Sequence, residues 1–332
     1  MKGTVNAIGQ YHGAKAAARL VDGHLADLIV DPKDVALPGT IYLAIADRPV
    51  KGIGGQFLRL PDGQTGYLRN GQIPPGKPAL VQVARFAEPG KAIPVTTKLL
   101  YKGRYAIISP TAPGINVSRQ IKDVDARDDL KQLVQDTCPD VAGAIVRSEA
   151  EFADQDAIVE ELLQLNQIAA TINNHSGDKP EHLLDGPNAH EVAYIEWPSA
   201  DINGAEFDIY EVEALIDQMR QPFVSLPGGA SAYVEPTRAL VAVDVNTGND
   251  TSAAAGLKAN LALARDLPRQ LRCRGLGGQI TIDFAPFPKK DRRQIEQTLR
   301  TAFKSDGIET SLVGWTPSGN FELQRKRERW PI

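Results

Sequence analysis

The sequence predicts a multidomain α/β chain. Two β-branched apolar runs each end in an aspartate, Leu240-Val-Ala-Val-Asp244 and Gln279-Ile-Thr-Ile-Asp283, with a helical stretch from about Ser252 to Arg274 between them. Strand, helix and strand in one sheet require a right-handed crossover and parallel strands. Far upstream, short alternating segments follow one another with Gly and Pro between them, the pattern of a small β-barrel. Charge is the third observation, because it divides the chain into three blocks.

The elements follow in order. Residues 1–38 read as a piece of sheet, where Gly13–Val21 and Leu25–Val30 flank Asp22-Gly23, a hairpin turn signal. Pro38-Gly39 punctuates the chain before the barrel segments TIYLAIAD, GGQFLRL, TGYLRN and ALVQVARF, which carry residues 39–97. Residues 98–174 give strands around Tyr105–Ile108 and Ala144–Val146, a helix from Ala126 to Gln135 and a helical run from Glu149 to Ile172. Asn173 to Asn188 reads as a polar loop, and Glu206 to Arg220 as an amphipathic helix. The strand–helix–strand unit fills the rest, with Pro268 expected to interrupt and kink its helix.

The bulk numbers exclude several classes. At 332 residues and 42% hydrophobic, the chain has material for several cores and is not disordered. Cys138 and Cys273 lie far apart with no CxxC pair, which excludes a zinc ribbon and gives no disulfide framework. The N-terminus has no signal-like apolar core and no run reaches about 18 apolar residues, so a reducing cytoplasm without membrane association is expected. The net charge of −4 hides a division: residues 1–148 hold 19 Lys/Arg against 13 Asp/Glu, 149–235 hold 2 against 18, and 236–332 hold 16 against 10. A polyanion is drawn to the outer blocks and repelled by the middle one.

The paired acids point to chemistry. On neighbouring parallel strands about 4.8 Å apart, both carboxylates emerge at the carboxyl ends, where such sheets carry their sites. A lone aspartate at a strand end is ordinarily structural. Two in register, with Asn246 two residues on, suit a divalent metal, because Mg²⁺ favours one or two carboxylates, its own waters and phosphate oxygens. Of the five histidines, His12 and His24 lie in the first hairpin; His175, His182 and His190 could ligate a metal, but their spacing fits no helix face and ordinary loop histidines are the favoured reading. Gly52, Gly54 and Gly55 make no phosphate loop, since no Lys-Ser/Thr pair follows.

The stretch Gln270-Leu-Arg-Cys-Arg-Gly-Leu-Gly-Gly-Gln-Ile-Thr-Ile-Asp-Phe284, preceded by Val243-Asp-Val-Asn-Thr-Gly248, resembles the ribonuclease E/G family. So do Leu226-Pro-Gly-Gly229, Gly103-Arg-Tyr-Ala-Ile-Ile-Ser-Pro110 and Ala144-Ile-Val-Arg-Ser148. The resemblance covers nearly the whole chain and is weakest between about 150 and 190. It implies an RNase H-like subdomain (1–38 with 175–219) that receives an OB-type RNA-binding barrel (39–97) and a 5′-sensor (98–174). A DNase I-like catalytic subdomain (220–332) follows. The implied activity is endonucleolytic cleavage of single-stranded RNA, with Asp244 and Asp283 holding Mg²⁺ and Asn246 assisting. Attack by metal-activated water leaves a 5′-phosphate and a 3′-hydroxyl.

The same resemblance assigns further residues. Phe57 and Tyr67, on adjacent barrel strands, and Lys91, on a later turn, are implied RNA contacts; base stacking contributes roughly 1–3 kcal/mol per base in such barrels. Arg147 and Ser148 end a strand together and can grip a terminal monophosphate, with Gly103 and Ile107 lining the pocket. The family's pocket also takes an arginine from a Ser-Arg-Phe-Gly stretch. This chain reads Thr316-Pro-Ser-Gly319 there, which leaves stimulation by a 5′-monophosphate open. Arg325, Lys326 and Arg327 are expected to track phosphates, and Lys289, Lys290, Arg292 and Arg293 have the same reading. Longer members carry a CPxC-type zinc link and a small dimerisation domain. Neither is found in these residues, so no zinc-linked tetramer is expected, and the chain is a monomer or a dimer through another surface. Two rival readings stay open: an RNA-binding protein of the same fold with weak or no cleavage, and a metal-dependent DNA nuclease.

Overall fold

The computed structural model describes residues 2–49, 52 and 54–332. They form two compact units, Met1–Lys33 with Ser199–Ile332, and Asp34–Pro198. The first unit opens with an antiparallel meander of β1 (Thr4–Tyr11), β2 (Ala14–Val21) and β3 (His24–Val30). Asp22 and Gly23 both take positive φ, 49° and 79°, which gives the turn a twist that matches its strands. The expected hairpin is therefore present, and a second one precedes it at His12-Gly13.

The second unit begins with a closed five-stranded barrel: β4 (Ile41–Pro49), β5 (Gln56–Arg59), β6 (Thr65–Leu68), β7 (Pro78–Val83) and β8 (Ile93–Thr96). The strands follow the order β4-β5-β6-β8-β7 and return to β4, with β6 and β8 parallel and the other pairs antiparallel. Alternate residues, among them Leu58, Leu68, Val81 and Val95, fill its interior. The sequence reading missed β8 because Pro94 sits within it, and a proline argues against a strand.

Next come β9 (Tyr101–Lys102), β10 (Ala106–Ile108), β11 (Gly114–Val117), α1 (Val124–Thr137), β12 (Gly143–Val146) and α2 (Gln155–Asn173). The strands order as β11-β12-β10-β9, and Asp123 and Asp154 cap the two helices with their carboxylates. The segment expected to be all loop holds β13 (Glu181–Leu184), which pairs with β4 on the barrel. Its charged, histidine-bearing run hid the strand from a hydrophobic pattern. α3 (Ala189–Glu196) was also missed, although Asn188 and Glu191 form a capping box legible in the sequence.

The chain then re-enters the first unit. β14 (Ile202–Glu206) lies parallel to β1, so the helix expected from Glu206 begins only at α4 (Val212–Arg220). The remaining elements are β15 (Phe223–Ser225), β16 (Ser231–Pro236), β17 (Val241–Asn246), α5 (Ala255–Cys273), β18 (Gly278–Asp283), α6 (Arg292–Lys304), β19 (Thr310–Trp315) and β20 (Phe321–Arg325). Their sheet runs β15-β16-β17-β18-β20-β19. Its core joins Val243, Ile280 and Ile282 to Leu263, Leu267 and Leu271 of α5 and to Ile295 and Leu299 of α6. Contrary to expectation, α5 runs on through Pro268. The buried face on both sides of the proline holds the helix together despite a penalty of about 3 kcal/mol.

A buried ionic cluster ties this unit together. Asp306, between α6 and β19, accepts hydrogen bonds from Arg272 of α5 and Arg325 of β20. Asp27 of β3 lies 3.4 Å from both Arg272 and Arg329. Both cysteines are free and buried. Among the described residues no helix is long and apolar enough to cross a membrane.

Candidate active site

β17 and β18 pair in parallel, and their register sets Asp244 directly opposite Asp283. Alternation sends Val241, Val243 and Val245 into the core and leaves Asp244 and Asn246 on the open face. In β18 the same alternation buries Ile280 and Ile282 and exposes Asp283. Asn246 donates its Nδ2–H to Asp244 Oδ2 at 2.8 Å, which orients that carboxylate. Among the described residues no basic side chain pairs with either acid, so two adjacent negative charges stand uncompensated.

The pair borders an open hollow of about 300 Å³, also lined by Glu235, Leu240, Ala242, Thr281 and Asn320. Among the described residues no three His, Cys, Asp or Glu side chains stand close enough to cage a cation unaided. Two carboxylates facing solvent suit a cation that keeps several waters and takes an oxygen from its substrate. Register extends this face sideways. Phe223 lies opposite Tyr233 and Tyr233 opposite Asp244, while the next rung holds Glu235, Ala242, Thr281 and Glu322. The sequence reading missed Glu235, Thr281, Asn320 and the two aromatics. Thr281 was within reach, since a period of two counted back from Asp283 finds it; the others required register between strands.

The profile of the "Ribonuclease E/G family" matches residues 101–204 and 195–328. The chain belongs to the ribonuclease E/G family. Ribonuclease E of Nostoc sp. is 26% identical over 355 residues, covering 87% of this chain and 51% of the relative. Ribonuclease E of Synechocystis sp. is 27% identical over 351 residues, covering 87% and 52%. Ribonuclease G of Salmonella typhimurium is 26% identical over 364 residues, covering 88% and 73%. The chain thus spans about half the length of the two ribonucleases E.

Other residues that the ribonuclease E/G resemblance singled out fall in three places. Phe57 and Tyr67 are cross-strand partners on β5 and β6, with ring centroids 5.4 Å apart and Phe57 exposed. Lys91 lies on the β7–β8 loop, exposed, with Nζ 2.6 Å from Glu88. In the basic run the structure corrects one expectation: Arg325 is 1% exposed, and its guanidinium donates to Asp306 and to Thr310 Oγ1. The alternation Phe321, Leu323, Arg325 points all three inward, a signal that the reading of a basic run overrode. Lys326 is half-exposed beside Glu309, and Arg327 lies over Gly278, where any side chain would collide with its guanidinium.

In the second unit, Arg147 donates Nη1–H to the Gly103 carbonyl at 2.7 Å and Nη2–H to Glu196 at 2.9 Å. Ser148 follows it directly and opens a single 3₁₀ turn. Ile107 lies on the outer face of β10, opposite Ile145 of β12. Beside Gly103, both oxygens of Glu161 are engaged, accepting the backbone N–H groups of Arg104, Tyr105 and Ala106 at 2.7–2.9 Å. The structure thus brings Gly103, Arg147 and Ser148 together, and places two of the chain's own carboxylates among them.

Proposed function

We propose that this chain is a metal-dependent endoribonuclease that cuts single-stranded RNA and leaves a 5′-phosphate and a 3′-hydroxyl. The observation that carries the reading is the in-register, uncompensated pair Asp244 and Asp283. Mg²⁺ fits this donor set, held by the two carboxylates with Asn246 fixing one of them. When bound, it polarises the phosphate and lowers the pKa of water. The chain's own residues hold the acids at the strand ends and keep the site open for a phosphodiester, and among the described residues no basic side chain pairs with either acid.

The barrel supports an OB-type RNA-binding reading. Numbered within the barrel, its strands follow the order one-two-three-five-four with a single parallel pair, and Phe57 and Tyr67 present adjacent rings for stacking. In the same reading, the β14-β1-β2-β3 sheet belongs to an RNase H-like subdomain and the six-stranded sheet to a DNase I-like one. Lys91, Lys326 and Arg327, together with Lys289, Lys290, Arg292 and Arg293 at and just before the start of α6, are the basic groups this reading offers to the RNA backbone.

The test is an unstructured oligoribonucleotide and the matched oligodeoxyribonucleotide, each incubated with Mg²⁺ or with EDTA. The expected result is internal cutting of the RNA alone, dependent on Mg²⁺, with 5′-phosphate products. Equal cutting of DNA would make the chain a general nuclease, and binding without turnover would make it an RNA-binding protein.

A second reading applies to Arg147. Its engagement with Gly103 and Glu196 favours a structural clasp over a sensor for a terminal phosphate. Monophosphorylated and hydroxyl-ended RNAs are therefore expected to be cut at equal rates. Faster cutting of the monophosphorylated strand would restore the sensor assignment to Gly103, Ile107, Arg147 and Ser148.

A further inference from the structure

The acid pair does not stand alone on its rung. Phe223, Tyr233, Asp244 and Asp283 are successive cross-strand partners on β15, β16, β17 and β18, so their side chains share one face. Val224 and Ala232, the neighbours of the two aromatics, are buried on the opposite face. Phe223 is 51% exposed and Tyr233 39%, although both are large enough to anchor a core. Their rings meet edge to face, with centroids 5.7 Å apart and planes at 73°. An edge-to-face contact covers at most one face of one ring, both rings keep exposed surface, and among the described residues the Tyr233 hydroxyl has no hydrogen-bond partner.

We propose that Phe223 and Tyr233 form a base-stacking subsite that seats the nucleotide beside the scissile phosphate of single-stranded RNA. The inference rests on the cleavage reading above and adds to it where the substrate's base lies. Strand spacing puts Tyr233 one step from Asp244 and Phe223 two steps away, about 5 and 10 Å. A nucleotide whose phosphate meets the acid pair reaches sideways over that distance with its base. Every base has a π-face, so stacking holds the strand without demanding a sequence. The flanking rungs set the path of the backbone. Glu235 and Glu322 make one side acidic, whereas Ser225, Ser231 and Asn246 make the other side polar and uncharged. The polyanion is repelled from the first and admitted along the second.

The experiment uses the full chain and a short fluorescein-labelled oligouridylate. Binding is read by anisotropy in the Asp283→Asn background, and cleavage in the parent background. Phe223→Ala and Tyr233→Ala are each expected to weaken binding about 5- to 150-fold, the span of one stacked base, while Tyr233→Phe binds like the parent. An oligouridylate with an abasic residue next to the cut position should bind the parent weakly and be insensitive to Tyr233→Ala. Both side chains are half-exposed and truncating either removes their mutual ring contact, so each alanine variant should stay folded at the assay temperature with only a small drop in thermal midpoint. If the alanine variants bind and cut like the parent, the subsite is overturned while the nuclease reading stands. If binding depends on the rings but no RNA is cut under any condition, the nuclease reading falls and the stacking surface remains. Loss of RNA binding accompanied by a large drop in thermal midpoint, with no abasic effect, would also overturn it, because the rings would then serve the fold.

Discussion

Asp283→Asn is expected to lower Mg²⁺-dependent cleavage of RNA by at least about 100-fold, since groups that merely orient metal ligands already contribute 10- to 100-fold. Asparagine keeps the size and hydrogen-bonding shape of the side chain, and position 283 is exposed at a strand end, so the fold is unaffected. Asp244→Asn should match it, because Asp244 faces Asp283 in register. The double variant should cost little more than either single one, as for groups that act as a unit. Asn246→Ala should cost less, because its amide reaches the site only through Asp244. Initial rates on an unstructured oligoribonucleotide, across a Mg²⁺ titration, give the comparison. Activity within a few-fold of the parent, or activity that survives chelation, would remove the acid pair from the chemistry.

The largest stability effect is expected at Asp306. Its carboxylate side chain is 1% exposed and faces Arg325, whose side chain is fully buried, and Arg272. Burial pushes the Arg325 guanidinium below its usual range and Asp306 draws it back up, so the ion is held by that partner. Among the described residues the Nε and Nη2 atoms of Arg325 have no hydrogen-bond partner, and Nη1 donates to Asp306 and to the uncharged Thr310 hydroxyl, so Asp306 is the acid that its guanidinium touches. Removing one member of a buried ion pair costs about 3–5 kcal/mol, because the other charge is left buried and alone. Asp306→Ala should lose that much in urea denaturation. Adding Arg325→Met should restore part of the loss, since the stranded charge is removed with its partner. A loss below about 1 kcal/mol, the range of exposed pairs, would mean that Arg325 is solvated.

These two residues show what the sequence revealed and what it hid. Asp244 and Asp283 were legible because each ends an apolar run and a helix joins the two, which is local information plus one topological rule. The turn at Asp22-Gly23 and four of the five barrel strands were legible for the same reason. Arg325 was misread, since a run of basic residues at a chain end suggests a surface, whereas burial depended on the alternation of β20 and on an acid nineteen positions earlier. Phe223 and Tyr233 were invisible as neighbours of the acids. Alternation gives the face of each residue within its own strand, but only register says which residue it meets on the next. β13 and α3 were lost among charged residues, where caps and pairing, not hydrophobic period, define the element.

The parallel pairing of β1 with β14 also sets an order of assembly. Every strand between residues 34 and 198 finds all its partners inside that segment, whereas β1 must wait for residues 202–206 before its sheet is complete. A chain emerging from the ribosome at about 5–20 residues per second leaves the first three strands exposed on one edge for on the order of ten seconds. The inserted segment has time to fold during that interval. Of the two units, the one that carries Asp244 and Asp283 therefore closes second, although its strands β1 to β3 are made before any strand of the other.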